Sequence, residues 1–275
     1  LKCFDWIIFS LKILQMSVNT PVMPKSALPS PSKELEEARS IFHDIWAKLE
    51  AKYGREGLQF PREILWLNGA PGAGKGTHTR FMMESCGFAV GPIVISDLLQ
   101  SPGAKALKDA GLLVGDREVT GLLFEELLNP DYAGGVIVDG YPRSQVQIEC
   151  LKLLSKKLAE LHEAVPSMDL PRFHIFVLYV SKEESVKRQL FRGEQIAAHN
   201  ATVSASGEGD LQELRKTDED PKAAQGRYQV FQDTTYSSLQ SLGQEGIFPY
   251  HLIDAHGSIE SIQERILKEL SGDLC

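Results

Sequence analysis

The nine residues Gly69-Ala70-Pro71-Gly72-Ala73-Gly74-Lys75-Gly76-Thr77 place four glycines and one lysine one residue after the apolar run Ile64-Leu65-Trp66-Leu67. Glycines let a backbone wrap an anion with its amide hydrogens pointing inward, where β-carbons would obstruct it. The segment Thr77 to Glu84 that follows has helical character, and a helix begins with free amides and a partial positive charge. Lys75 adds a full charge. Strand, glycine loop and helix in that order describe a cradle for a nucleotide's phosphates.

A second apolar run, Val136-Ile137-Val138, also ends in reactive residue types: Asp139-Gly140-Tyr141-Pro142-Arg143. An aspartate at a strand tip beside a phosphate loop can order magnesium-bound water. Arg143 offers a planar fork suited to a phosphate. Gln147 stands four residues on, so a helix there would carry it on the arginine's face, about 6 Å along. Its amide could donate and accept together at a base edge, or simply be solvated. Moving a phosphoryl group redistributes charge over its oxygens, so surrounding cations are expected. Lys75, Arg143, Arg188, Arg192, Arg215 and Arg227 are the candidates. Arg188 and Arg192 share an i, i+4 face at the expected end of a helix after Val180; a basic helix end complementing the dipole is the bland alternative.

The elements that must position these groups follow a regular alternation. Short apolar runs at Glu63–Leu67, Pro92–Ile95, Val136–Val138, Phe173–Val180 and Tyr250–Ile253 are each followed by a segment of helical period or composition. This predicts an α/β fold with a five-stranded parallel sheet covered by helices on both faces. Ligands in such sheets gather at the carboxyl ends of the strands, where the motifs fall. Before the first strand, Leu35, Ala38, Ile41, Phe42, Ile45 and Leu49 form one stripe of a packing helix over Lys33–Tyr53. Near the end, Asp220 and Pro221 read as N-cap and first helical residue, opening a core-facing stripe of Ala224, Tyr228, Phe231, Thr235, Leu239 and Leu242. The stretch Arg192–Arg215 shows no sustained periodicity and reads as a surface loop or a mobile lid; its basic ends favour the lid.

The chain has 275 residues and a net charge of −8, which argues against non-specific binding to nucleic acid or acidic membranes. Its four cysteines, Cys3, Cys86, Cys150 and Cys275, have no paired spacing, so they read as buried small residues or thiols of a reducing compartment. Leu1–Leu14 is mostly apolar yet too short to span a membrane. It reads either as a targeting segment or as sequence upstream of a start at Met16. The four prolines between Ser17 and Pro31 suggest a linker.

The G-K-G-T ending of the glycine loop, with Gly76 between lysine and threonine, resembles the nucleoside monophosphate kinases, and Asp139–Arg143 resembles the D-G-aromatic-P-R motif of adenylate kinases. The resemblance covers Pro61 to about Leu270. It implies a P-loop kinase fold with the glycine-loop strand central, a small acceptor-binding insert at about 96–130 and a lid at about 193–215, within a domain of 33–275 that follows an extension of 1–32. It implies direct in-line transfer of the γ-phosphoryl group from magnesium-ATP to a nucleoside monophosphate, AMP first. On this pattern Gly69 to Thr77, Arg188, Arg192 and the main chain of His256 serve ATP. Lys75, Arg143, Arg192, Arg215 and Arg227 serve the transferring phosphate, with Asp218 near the acid that pairs with one of them. Ser96, Leu113, Val114, Gly140, Arg143 and Gln147 serve the acceptor, the valine through G-x-L-V-x-D at Gly111–Asp116. Asp139 and Asp97 would hold magnesium through water.

One departure stands out. Adenylate kinases carry S-T-G-D-x-(L or I)-R before that segment, whereas this chain has Ile95-Ser96-Asp97-Leu98-Leu99-Gln100, with Gln100 in the arginine's place. Losing a charge-assisted contact costs about 1.5–3 kcal/mol, unless Lys105 or Lys108 substitutes. The alternatives are therefore a kinase for UMP, CMP or a non-nucleotide acceptor, or an ATP-binding sensor without turnover. ATP and a monophosphate are the expected partners of a cytoplasmic monomer.

Overall fold

The computed structural model describes residues 31–100, 102, 114–166 and 168–273. The chain divides into units 1–33 and 34–275, and the architecture below is that of the second. The elements are α1 (Pro31–Tyr53), β1 (Glu63–Gly69), α2 (Lys75–Cys86), β2 (Ile93–Val94), α3 (Ile95–Leu98), α4 (Asp116–Glu126), β3 (Val136–Asp139), α5 (Gln145–Ala164), β4 (Arg172–Tyr179), α6 (Lys182–Ser206), α7 (Lys216–Glu219), α8 (Pro221–Val230), α9 (Ser237–Glu245), β5 (Tyr250–Asp254) and α10 (Ile259–Asp273).

All five expected strands form, and they pair in parallel in the order β2-β3-β1-β4-β5. The glycine-loop strand is central, with Trp66 in register with Val138 on one side and Ile175 on the other. Its residues from Glu63 to Asn68 are all buried, as a strand covered on both faces requires. On one face Trp66 meets Tyr141 and Phe173, with ring centroids 5.6 and 5.4 Å apart, and the aromatic contacts continue through Phe124 and Phe42 to Trp46 of α1. On the other, Phe176 and His251 stack at 4.3 Å, and His251 Nδ1 lies 3.1 Å from Glu269 of α10.

The stripe of α1 is core-facing at Ala38, Ile41, Ile45 and Leu49, joined by Trp46. Asp220 caps α8 with its side chain on Lys222 N and Pro221 at the first helical position. The stripe Ala224 to Leu242 is buried throughout. Between α8 and α9 the helix loosens into a π turn over Phe231–Tyr236, which shifts Thr235 and Tyr236 onto the buried side.

The 193–215 segment differs from the loop that its composition suggested. Helix α6 continues to Ser206, where Gly207, at φ 71°, caps it. Ile196 and Val203 are buried two turns apart, and Ala197, Ala198 and Ala201 between them favour helix. The returning chain is tied back by Asn200, whose side chain both donates to Gln212 O and accepts from Gln212 N at 2.8 Å. Arg188 and Arg192 accordingly sit inside a long helix rather than at its end.

Candidate active site

Two adjoining cavities open at the carboxyl ends of β1 and β3. The outer one encloses about 930 Å³ and is lined by Pro71 through Thr77, Ser96, Asp139, Arg143, Arg188, Arg192, Arg215 and Arg227, with Gly257 and Ser258 on the β5 side. The inner one encloses about 130 Å³ and is lined by Asn68, Gly69, Ser96, Val114, Gly140, Arg143, Gln147 and Arg227. Pro71, Lys75, Ser96, Arg143 and Arg227 line both. The chambers therefore meet at three cations.

The cradle forms because its glycines accept shapes that other residues resist. Gly72 has φ 73°, and a β-carbon there would lie 3.0 Å from Ser185 O and 3.2 Å from Arg188 Cβ. That close approach lets Ser185 Oγ donate to Pro71 O at 2.6 Å, tying the loop to α6. Ala70 is wholly buried beneath the loop. Lys75 reaches back to Gly69 O at 3.4 Å and to Asp139 at 4.0 Å. Burial, reinforced by Arg143, Arg227 and Arg192, holds the Lys75 ammonium below its ordinary pKa against the pull of Asp139.

Gly140 (φ 96°) leaves room for the Arg143 guanidinium, since a β-carbon there would lie 2.1 Å from it. The turn is pinned from beneath by Asn68 Nδ2, which donates to Tyr141 O at 2.8 Å, and by Thr235 Oγ1, which donates to Arg143 O at 3.0 Å. Arg143 precedes the N-cap Ser144, so it does not share a helical face with Gln147. Instead its backbone N–H donates to Gln147 Oε1 at 2.7 Å, and Gln147 Nε2 donates to Asp116 at 2.9 Å. The same Asp116 oxygen accepts from Ser144 Oγ at 2.7 Å. Gln147 lines the inner chamber, as its assignment required, but both ends of its amide are engaged by the protein.

The remaining arginines come from three elements. Arg188 is held by Glu184 at 2.6 Å and Ala255 O at 3.0 Å. Arg192 pairs with the buried carboxylate of Asp218, which also accepts from Arg215 N at 3.2 Å. The acid expected near these arginines thus joins Arg192 to the start of α7. Among the described residues Arg227 has only long hydrogen bonds, 3.4 Å to Thr217 and 3.5 Å to Gln189. Burial lowers its pKa to about 10, with Arg215, Arg192 and Arg143 adding to the shift. Arg143 is shifted the same way by burial and Arg215. Cations that depress one another in a partly dry cleft are arranged for a polyanion.

Two expected site residues fall elsewhere, and a third lies outside the described residues. Asp97 is exposed, accepts from Ser96 Oγ at 3.1 Å and lines neither chamber. Its backbone carbonyl accepts from Gln100 Nε2 at 2.5 Å, so Gln100 turns back on its own loop. The His256 ring accepts from Ser181 N at 3.0 Å and meets Asp254 at 2.5 Å; it closes the ends of β4 and β5, while its neighbours Gly257 and Ser258 line the cleft. Leu113, with Gly111, Leu112, Lys105 and Lys108, lies outside the described residues. Sequence reasoning missed Asn68, Val119 and Val230, and gave Asp116 and Phe231 only a motif and a core position, although a buried polar residue ending an apolar strand was a legible signal for Asn68.

A family profile described as an AAA domain matches residues 68–202. The adenylate kinase of Stenotrophomonas maltophilia (strain R551-3) is 30% identical over 217 residues, covering 76% of this chain and 99% of the relative. That of Geotalea uraniireducens (strain Rf4) is 30% identical over 226 residues, covering 76% and 98%. Among solved structures, a gluconokinase from Sinorhizobium meliloti 1021 matches at 16% identity and a TM-score of 0.44, over 78% of this chain and 95% of that one. A deoxyadenosine kinase from M. mycoides with bound dATP matches at 13% identity and a TM-score of 0.37, over 76% and 99%. A parallel sheet with the glycine loop at its centre, and near full-length similarity to two adenylate kinases, make this chain a member of the adenylate kinase family of P-loop kinases.

Proposed function

We propose that the protein transfers the γ-phosphoryl group of ATP directly to a nucleoside monophosphate, AMP being the first candidate. The observation that carries this reading is the pair of chambers that share Lys75, Arg143 and Arg227. Two ligands seated there meet at a ring of cations. Lys75 and the loop amides hold the β- and γ-phosphates, and Arg192, Arg215 and Arg227 follow the charge as it spreads over the transferring oxygens. Arg143 and Ser96 bind the acceptor phosphate at the junction, with Gly140, Val114 and Gln147 forming the chamber beyond it.

Asp139 lines the donor cleft with a partly exposed carboxylate. No group of three or more metal-ligating side chains occurs among the described residues. A single carboxylate suits magnesium carried mainly by phosphates and water, with Asp139 holding such an ion through water. The ion would neutralise charge on the β- and γ-oxygens.

A second reading, a P-loop kinase for another acceptor, draws on two observations. Gln100 is turned onto the Asp97 carbonyl, and the Gln147 amide is engaged by Asp116 and Arg143. Both reduce the means of gripping and reading AMP. The test is ADP production from magnesium-ATP with AMP, GMP, UMP and CMP in turn. Turnover with AMP supports the first reading, and turnover with another monophosphate moves the acceptor. Silence with all four, with ATP still bound, favours a non-nucleotide acceptor or a sensor.

A further inference from the structure

The helix that carries Arg227 does not run on regularly past the cleft. In an uninterrupted α-helix Thr235 would stand about 80° around the axis from Arg227. The wider π turn over Phe231–Tyr236 takes back much of that angle, and Arg227, Phe231 and Thr235 all line the inner chamber. The hydroxyls of this turn are used in two ways. Those of Thr234 and Ser237 donate at 2.8 Å to the carbonyls of Val230 and Asp233, four residues back, a local bond that bends helices. Thr235 is buried, and its hydroxyl instead donates at 3.0 Å to Arg143 O, 92 residues away. Arg143 N donates to Gln147 Oε1, so both main-chain groups of Arg143 are held by side chains. Arg143 and Arg227 repel each other, and the hydrogen bonds of Arg227 are long. Like charges do not set their own spacing. Here one helix carries the first cation and, through Thr235, grips the main chain of the second.

We infer that Thr235 is a positioning residue for phosphoryl transfer: its bond to Arg143 O fixes the Arg143 turn against the helix of Arg227, so that both guanidinia face one phosphoryl group where the chambers meet. This rests on the reading of the inner chamber as the acceptor site. The hydroxyl acts through Arg143 rather than on a ligand. Its loss frees the turn to drift, and a misplacement of about 1 Å at a reacting centre can cost about 100-fold in rate. Donor binding is left alone, since no residue of the π turn lines the outer cleft.

Thr235→Val keeps the branched shape and removes the hydroxyl. The test compares it with wild type and Thr235→Ser in the full chain, by equilibrium binding of magnesium-ATP and by steady-state kinetics. The kinetics use whichever of AMP, GMP, UMP and CMP wild type turns over. Thr235→Val is expected to lower kcat about tenfold or more and leave ATP binding unchanged, with Thr235→Ser restoring most of the rate. In an Arg143→Lys background the same change is expected to cost less than about threefold, because residues that act through one group are not additive. Thr235→Ala carries the same expectations should the valine protein not fold. A hydroxyl-free protein with the wild-type kcat overturns the inference. So does an equal loss in both backgrounds, or a fall in ATP affinity. Wild type that turns over none of the four rejects the phosphotransfer reading and this inference with it, a result told apart because it appears before Thr235 is changed.

Discussion

Lys75, Arg143, Arg192, Arg215 and Arg227 arrive at one cleft from the glycine loop, the β3 turn, α6, the start of α7 and α8. Lys75, Arg143 and Arg227 pay a desolvation and repulsion penalty in the absence of an anion, most visibly Arg227, whose pKa falls to about 10 through burial and its neighbouring arginines. Stability and function therefore oppose each other at this position. Arg227→Leu is expected to lower turnover by about 100-fold or more while leaving the ligand-free melting temperature unchanged or raised. Lys75→Met is expected to lower turnover by about three orders of magnitude with the fold intact. Coupled assays and thermal melts on both proteins check this; a large loss of stability in the Arg227 variant would refute the account of the cation cluster.

Helix α1 adds a layer over α4 and α5. Asp44 pairs with Arg117 of α4 at 2.7 Å, and Trp46 stacks between Phe42 and Phe60 at centroid distances of 5.7 and 6.4 Å. Beneath it, Cys150 is wholly buried with its sulfur 3.6 Å from Ala38 O. Burial, with Asp116 and Glu149 adding, pushes the thiol up to about 12, so the reactive thiolate is scarce in the native protein until the pH approaches that value. Alkylation at pH 8, read by peptide mapping, is expected to spare Cys150 in the folded protein. Trp46→Ala is expected to cost about 3–5 kcal/mol and to speed labelling of Cys150 in step. Rapid labelling of the wild type would show that α1 opens far more easily than its packing implies.

Taken as a whole, the molecule carries a net charge of −8 yet concentrates cations at the carboxyl end of its sheet, so a local field, not the overall charge, selects its ligands. Tripolyphosphate should therefore raise the melting temperature. At 100 times its dissociation constant the gain is about 2.7 kcal/mol, or roughly 5–10 °C for a protein of this size. The shift should shrink as salt rises; a shift insensitive to salt, or none, would contradict a charge-selected site. At about 130 Å³ the inner chamber is smaller than the few hundred Å³ that enclose a small ligand, so the proposed seating of an acceptor there requires it to widen.

Local patterning was enough to determine much of this protein. The five strands, the glycine cradle, the Asp139–Arg143 turn, the Asp220 cap and the stripe from Ala224 to Leu242 all depend on residues close together in the chain, where periodicity, capping and glycine placement act directly. The helical continuation of α6 was hidden by Gly193 and by a polar surface, because its stabilising contacts, Ile196, Val203 and the Asn200–Gln212 pair, become visible only when the chain returns along it. Side-chain partners were likewise undetermined by spacing. Gln147 faces Asp116, Gln100 folds onto Asp97 and Asp218 takes Arg192, pairings 31, 3 and 26 residues apart. A side chain's partner is chosen by whichever groups the packed elements bring within about 3 Å, and only the tertiary structure decides which those are.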